Sequence, residues 1–153
     1  MTTTTETPRA VLLTADWAVD PHAVVAAAAE RAAAGPAEFL LLVPAWLHGL
    51  DWTGDPRASV PCAHAQLRRI GELCAAAGLS VRAATVGDPD PVTAICDALG
   101  DRHADELLLC TRGRRLLAYR ARRATGLPLR HVEAHGGAGA RRRRRGHCVP
   151  AVA

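Results

Sequence analysis

A chain of 153 residues suits one domain and fits two poorly. Hydrophobic residues make up 49% of it, enough for a core without staples, yet aromatics are only 3%, so that core must be assembled from Ala, Val and Leu. All 19 basic residues are Arg, and the net charge of +4 hides a division: residues 1–111 carry seven Arg against fourteen acids, whereas residues 112–153 carry twelve Arg against Glu133 alone. The longest apolar stretch, around Phe39–Leu50, is too short to span a bilayer and is interrupted by Pro44. Met1–Pro8 is a Thr-rich polar lead without the basic start and apolar run of a signal peptide, so a cytoplasmic location is expected.

Arg9–Ala15 (RAVLLTA) is a short continuous apolar run of the kind expected for a strand covered on both faces. Asp20 then offers an N-cap and Pro21 a first helical position, opening an Ala-rich helix that stops near Gly35. Glu38–Ala45 predicts a second buried strand. A long loop reaches Val60, carrying Trp46, His48 and Trp52. Loops of that length serve as lids or contact surfaces. Trp46 and Trp52 either stack on a flat ligand or fold back to seal a core poor in aromatics, and sealing is the preferred reading.

Pro61 opens the next helix and Gly78 ends it, with Leu67, Ile70, Cys74 and Ala77 at the three- and four-residue spacings of one buried face. Ser80–Val86 is a third strand, closed by Gly87. Asp88-Pro89-Asp90-Pro91 supplies a turn and an N-cap, after which Val92, Ile95, Cys96 and Leu99 form the expected buried stripe of a third helix. Glu106–Cys110 is a fourth strand, Arg114–Ala124 a short and very basic helix, and Leu127–Glu133 a fifth strand. Such alternation of strand and helix calls for right-handed crossovers and a parallel sheet with helices on both faces. From Ala134 the chain loses periodicity, so residues 1–8 and 135–153 are expected as disordered extensions of one domain over 9–134.

Five scattered cysteines, Cys62, Cys74, Cys96, Cys110 and Cys148, never form CxxC and are expected to be reduced, buried and inert. No set of His, Cys and carboxylates converges at a recognised spacing, so no metal is expected. Neither serine stands in a nucleophile elbow, and the chain has no Walker loop and no GxGxxG, so no catalytic residue is assigned.

Two local motifs narrow the fold. Val86-Gly87-Asp88-Pro89 before an amphipathic helix resembles the third-strand exit of universal stress proteins. Ala104-Asp105-Glu106-Leu107-Leu108-Leu109-Cys110-Thr111-Arg112-Gly113 is similar to that family's fourth strand and the start of its nucleotide loop, and Val11–Asp16 resembles its first strand. The resemblance covers Arg9–Glu133. It implies a single doubly wound, Rossmann-like (adenine-nucleotide alpha-hydrolase-like) sheet of order 3-2-1-4-5, with a crevice where the winding reverses, between strands one and four. It further implies a non-enzymatic regulatory module of the stress response, a homodimer through Leu127–Glu133, and ATP as the possible ligand, contacted by Asp16, Val43, Thr111, Arg112, Gly113 and Arg114. Nucleotide-binding members carry Gly-x-x-Gly, nine residues, then Gly with Ser or Thr. Cys110 stands at the first of those glycines here, Gly113 at the second, Arg123 at the third and Ala124 at the hydroxyl position. Arg112, Arg114 and Arg115 offer phosphate a charged grip in place of that loop.

Asp16 reads equally as a ribose-binding carboxylate or as a polar stop to its strand. Gly113 reads as an opening for phosphate or as relief for a tight turn, and Arg112–Arg123 as an anion site or a solvated helix face. Two further functions remain open: sequence-blind binding of nucleic acid through Arg141–Arg145, and nucleotide hydrolysis on the same scaffold.

Overall fold

In the computed structural model, residues 6–48, 54, 55 and 57–134 are described. Nine elements alternate along the chain: β1 (Arg9–Ala15), α1 (Pro21–Ala33), β2 (Ala37–Pro44), α2 (Val60–Ala76), β3 (Val81–Gly87), α3 (Pro91–Asp101), β4 (Glu106–Thr111), α4 (Arg115–Thr125) and β5 (Leu129–Glu133). The five strands form one parallel sheet in the order β3-β2-β1-β4-β5.

Central strands must hide both faces, and the sequence supplies the residues for it. In β1 every residue after Arg9 is buried, and Phe39–Pro44 of β2 and Leu107–Thr111 of β4 are likewise covered. Alternation across β1 divides the core into two layers. Val11, Leu13 and Ala15 face a cluster completed by Val24 and Ala28 of α1 and Ala63, Ile70 and Cys74 of α2. Leu12 faces the other way, with Leu40, Leu42, Ala94, Ile95 and Ala121, under α3 and α4. The edge strands β3 and β5 are only partly covered.

The helix starts are set by local chemistry. Asp20 caps α1 by accepting from the His22 amide at 3.0 Å, and Asp90 caps α3 by accepting from the Thr93 amide at 3.0 Å, each followed at once by proline. Gly126 ends α4 at φ +67, a left-handed conformation that favours glycine.

Four expectations need correction. β5 starts at Leu129, not Leu127, because the Leu127 amide is spent on Thr125 Oγ1 in the turn and Pro128 has no donor to give a ladder. On α3 the inward positions are Pro91, Ala94 and Ile95, so Cys96 turns to solvent. Ala77 is exposed as the C-cap of α2, whose buried face runs through Cys62, Ala63, Gln66, Ile70 and Cys74. Reduced, buried thiols are found at Cys74 and Cys110, whereas Cys96 is exposed and Cys62 is disulfide-bonded. Cys148, the lead 1–5 and the tail 135–153 lie outside the described residues. No helix among the described residues is long and apolar enough to cross a membrane.

Candidate functional site

The winding reverses between β1 and β4: the chain leaves β1 toward β2 and β3, then returns across the sheet to β4. In a doubly wound sheet this switch point is where a crevice lies, at the carboxyl edge of the two strands. The Asp16 amide donates to the Cys110 carbonyl at 3.1 Å, joining the two lips.

Asp16, just past β1, is only 2% exposed. Its Oδ1 accepts from the Ala18 amide at 3.0 Å, which fixes the turn into α1, and lies 2.8 Å from His48 Nε2. A carboxylate oxygen only accepts, so Nε2 carries the proton in that bond. Gln66, buried on α2, donates through Nε2 to the Val19 carbonyl at 2.9 Å and the Asp16 carbonyl at 3.4 Å, pinning the same turn from below. A polar residue in the middle of a buried helix face is otherwise costly, and these two carbonyls satisfy its amide.

The start of the β2–α2 loop folds over this carboxylate. Trp17 Nε1 donates to the Trp46 carbonyl at 2.6 Å, the His48 ring meets Trp17 edge-on at 4.7 Å, and Trp46 lies tilted against His48 at 5.5 Å. The Arg114 guanidinium sits 4.7 Å above the Trp46 ring, a cation–π contact that ties the loop to the mouth of α4. Trp46 therefore lies over the Asp16 carboxylate between His48 and Arg114 and joins neither core layer, while Trp52 lies outside the described residues.

Across the crevice, the turn from β4 to α4 runs through Arg112, Gly113 and Arg114, all exposed. Gly113 has φ +58, and a Cβ there would meet nothing within 4 Å, so the turn demands glycine and also leaves open space before it. Arg114 occupies the N-cap position of α4 without a side-chain capping bond. Thr111 is buried, its Oγ1 2.8 Å from His131 Nε2 on β5. Val43 is fully buried in the α1–α2 core layer. Of the six residues expected at the ligand, Asp16, Arg112, Gly113 and Arg114 thus border the crevice, while the Thr111 hydroxyl is turned to β5 and the Val43 side chain is in the core.

Cys110, which stands where the resembled family's loop has its first glycine, is packed in the core, and burial pushes its thiol up to about 12, with Arg130 pulling the other way. A thiol raised in this way by burial is a poor nucleophile. Among the described residues no group of three or more His, Cys, Asp or Glu is placed to hold a metal ion. A separate cavity of about 270 Å³ lies beneath α3, lined by Leu12, Leu40, Ala83 and Ala98 with Asp101 and Arg102 at its rim.

Sequence reasoning did not bring Trp17, His48 or Gln66 to the site. A single His or Gln carries no periodic signal, and only their tertiary neighbours give them a role.

The fold is that of universal stress proteins. A universal stress protein solved in complex with cAMP matches with a TM-score of 0.54 at 20% identity, over 83% of this chain and 98% of that one. A universal stress protein family protein from Arabidopsis thaliana with AMP bound matches with a TM-score of 0.60 at 16% identity, over 84% and 93% of the two chains. A protein of the same family from Burkholderia pseudomallei matches with a TM-score of 0.59 at 18% identity, over 82% and 96%. No protein-family model and no curated protein matches the sequence.

Proposed function

We propose that this protein is a non-enzymatic regulatory module of the universal stress protein type, cytoplasmic, whose crevice takes an adenine nucleotide. The observation that carries the reading is the buried carboxylate of Asp16 at the point where the sheet reverses, opposite an open glycine turn flanked by Arg112 and Arg114. A carboxylate in that position accepts from ribose hydroxyls, and the turn receives phosphate. Support also comes from two structures of similar fold that hold cAMP and AMP.

With Cys110 in place of a loop glycine, phosphate is held chiefly by the charge of Arg112, Arg114 and Arg115 rather than by a cradle of amides. The ribose competes with His48 for Asp16 Oδ1, so loading displaces the start of the β2–α2 loop. The module pairs with a second copy through β5, whose outer edge has no strand partner among the described residues and carries Leu129 and Val132 half-buried.

Acid extraction of the purified protein followed by chromatography identifies any bound adenine nucleotide. Melting with millimolar AMP, cAMP and ATP measures loading, since a ligand at 100 times its Kd adds about 2.7 kcal/mol. An Asp16→Asn variant should lose that gain. If none co-purifies and no nucleotide raises the melting temperature, the crevice does not bind nucleotide. Steady release of phosphate from ATP would refute the non-enzymatic reading, and a monomer by light scattering would refute the pairing.

A further inference from the structure

We infer that the solvent face of α4 is a docking surface for single-stranded nucleic acid, distinct from the Arg141–Arg145 run and adjoining the crevice, with which it shares Arg112, Arg114 and Arg115. Between Glu106 and Glu133 the chain has no acidic residue, and α4 with its leading turn carries Arg112, Arg114, Arg115, Arg120, Arg122 and Arg123. Leu117 and Ala121 are the buried positions of α4 and define its inward direction. At about 100° per residue, Tyr119 points diametrically away from them, with Arg115 and Arg122 to one side and Leu116 and Arg123 to the other.

Tyr119 is 60% exposed and Leu116 is 71% exposed, the two large hydrophobic side chains of the described residues that stand most open to solvent. Tyr119 is the chain's single tyrosine. Arg123 Nη1 donates to its Oη at 3.2 Å, which holds the ring along the helix with a cation at its rim. Little of this charge is used within the domain. Arg115 meets Glu133 only at 3.6 Å, with the Arg115 side chain 89% and the Glu133 side chain 42% exposed, and Arg122 forms no ion pair among the described residues.

The chemistry of the occupant follows from that arrangement. Six cations flanked by only Glu133 and Asp90 among the described residues suit a row of phosphates, and an unpacked aromatic ring at their centre suits an unstacked base. A duplex offers the phosphates but no open base face, and an acidic peptide offers the charge but no ring. The helix is about 16 Å long, which spans roughly five nucleotides at the 3.4 Å spacing of a stacked strand.

Fluorescence anisotropy of the full chain with a labelled mixed-sequence 12-nucleotide single strand, between 50 and 200 mM KCl, tests the assignment. Replacing Arg115, Arg122 and Arg123 by Gln should make the slope of log K against log salt shallower by about 2, at roughly 0.7 per lost contact. Tyr119→Ala should weaken the single strand roughly tenfold, keep the slope, and leave a duplex of the same length unaffected. Circular dichroism confirms folding, and these exposed substitutions leave both core layers untouched. A triple variant with the slope of the parent, or Tyr119→Ala with parental affinity, overturns the proposal. So does equal binding of duplex or of polyglutamate, or binding that vanishes when only Arg141–Arg145 are replaced by Gln.

Discussion

Adding one methyl group at Gly87 tests how tightly the sheet and α3 are fitted together. Gly87 ends β3, pairs with Pro44 and accepts from the Ala45 amide at 3.0 Å. A Cβ built there would lie 2.6 Å from the Cβ of Ala94 and 2.8 Å from Cδ1 of Leu42. Carbon atoms rest at about 3.5–4.0 Å, so the methyl overlaps each neighbour by about 1 Å. Leu42 can swing its terminal methyl aside. Ala94 cannot, because its Cβ is fixed to the first turn of α3, so the helix must lift from the second core layer. Overpacking of this kind costs about 1–3 kcal/mol, and a rigid partner places Gly87→Ala in the upper half of that range. Lower entropy of the unfolded chain offsets about 0.4–1 kcal/mol of it. The net expectation is a loss of about 2 kcal/mol, or roughly 6–10 °C in Tm for a folded region of this size. Urea denaturation at neutral pH followed by circular dichroism measures it. Ala94→Gly in the same chain removes the nearest contact while adding about 1 kcal/mol for a helical glycine, so the double variant should be less destabilised than the sum of the singles. A Gly87→Ala protein within 0.5 kcal/mol of the parent, or singles that add without coupling, would refute the close fit.

Removing His48 should free Asp16, so His48→Ala is expected to tighten nucleotide binding severalfold by calorimetry; weaker binding would mean that the imidazole belongs to the ligand site. Asp90 is held below its ordinary value of 3.8: burial pushes it up, but donation from the Thr93 hydroxyl and amide, with Arg120 nearby, outweighs that. Its folded pKa lies under its unfolded one, so its contribution is whole above about pH 4 and fades as pH falls through the folded value. Asp90→Ala should cost about 1 kcal/mol at pH 7 and less at pH 2.5, and an equal cost at both would contradict the capping role. Alkylation at pH 8 mapped by mass spectrometry should modify Cys96 in the folded protein, and Cys74 and Cys110 only in denaturant, because burial raises both inner thiols. Modification of Cys110 at the rate of Cys96 would show that β4 opens readily.

What the sequence disclosed, and what it withheld, follows from the range of the forces involved. The strands and helices were legible because burial imposes a period and because Asp20-Pro21, Asp90-Pro91 and Gly126 act within a few residues of themselves. Asp16 and Gly113 were legible as the two lips, since the strand order follows from the alternation of elements and the resemblance. The exposure of Cys96 was not: Cys96 and Ile95 are neighbours in sequence, and which of them turns inward depends on where the helix docks. The value of Gly87 was hidden as well. In the sequence it looks like the stop of a strand, whereas its need for a bare Cα comes from Ala94 and Leu42, brought against it by the fold. The partnership of His48 with Asp16 spans 32 residues through a loop without period, and no local rule reports it.

Arg114 stands where two surfaces meet. Its guanidinium rests on Trp46, and Trp46 leans on the imidazole that bonds Asp16. On the nucleotide reading proposed above, a phosphate at the β4–α4 turn that drew this arginine off the indole would cost the loop over the crevice its outer anchor. Occupying the turn and uncovering the carboxylate would then be thermodynamically linked, each lowering the cost of the other. Such a crevice would discriminate by the ligand's reach: a nucleoside would meet the closed loop with Arg114 still in place, while a nucleotide would bring the group that releases it.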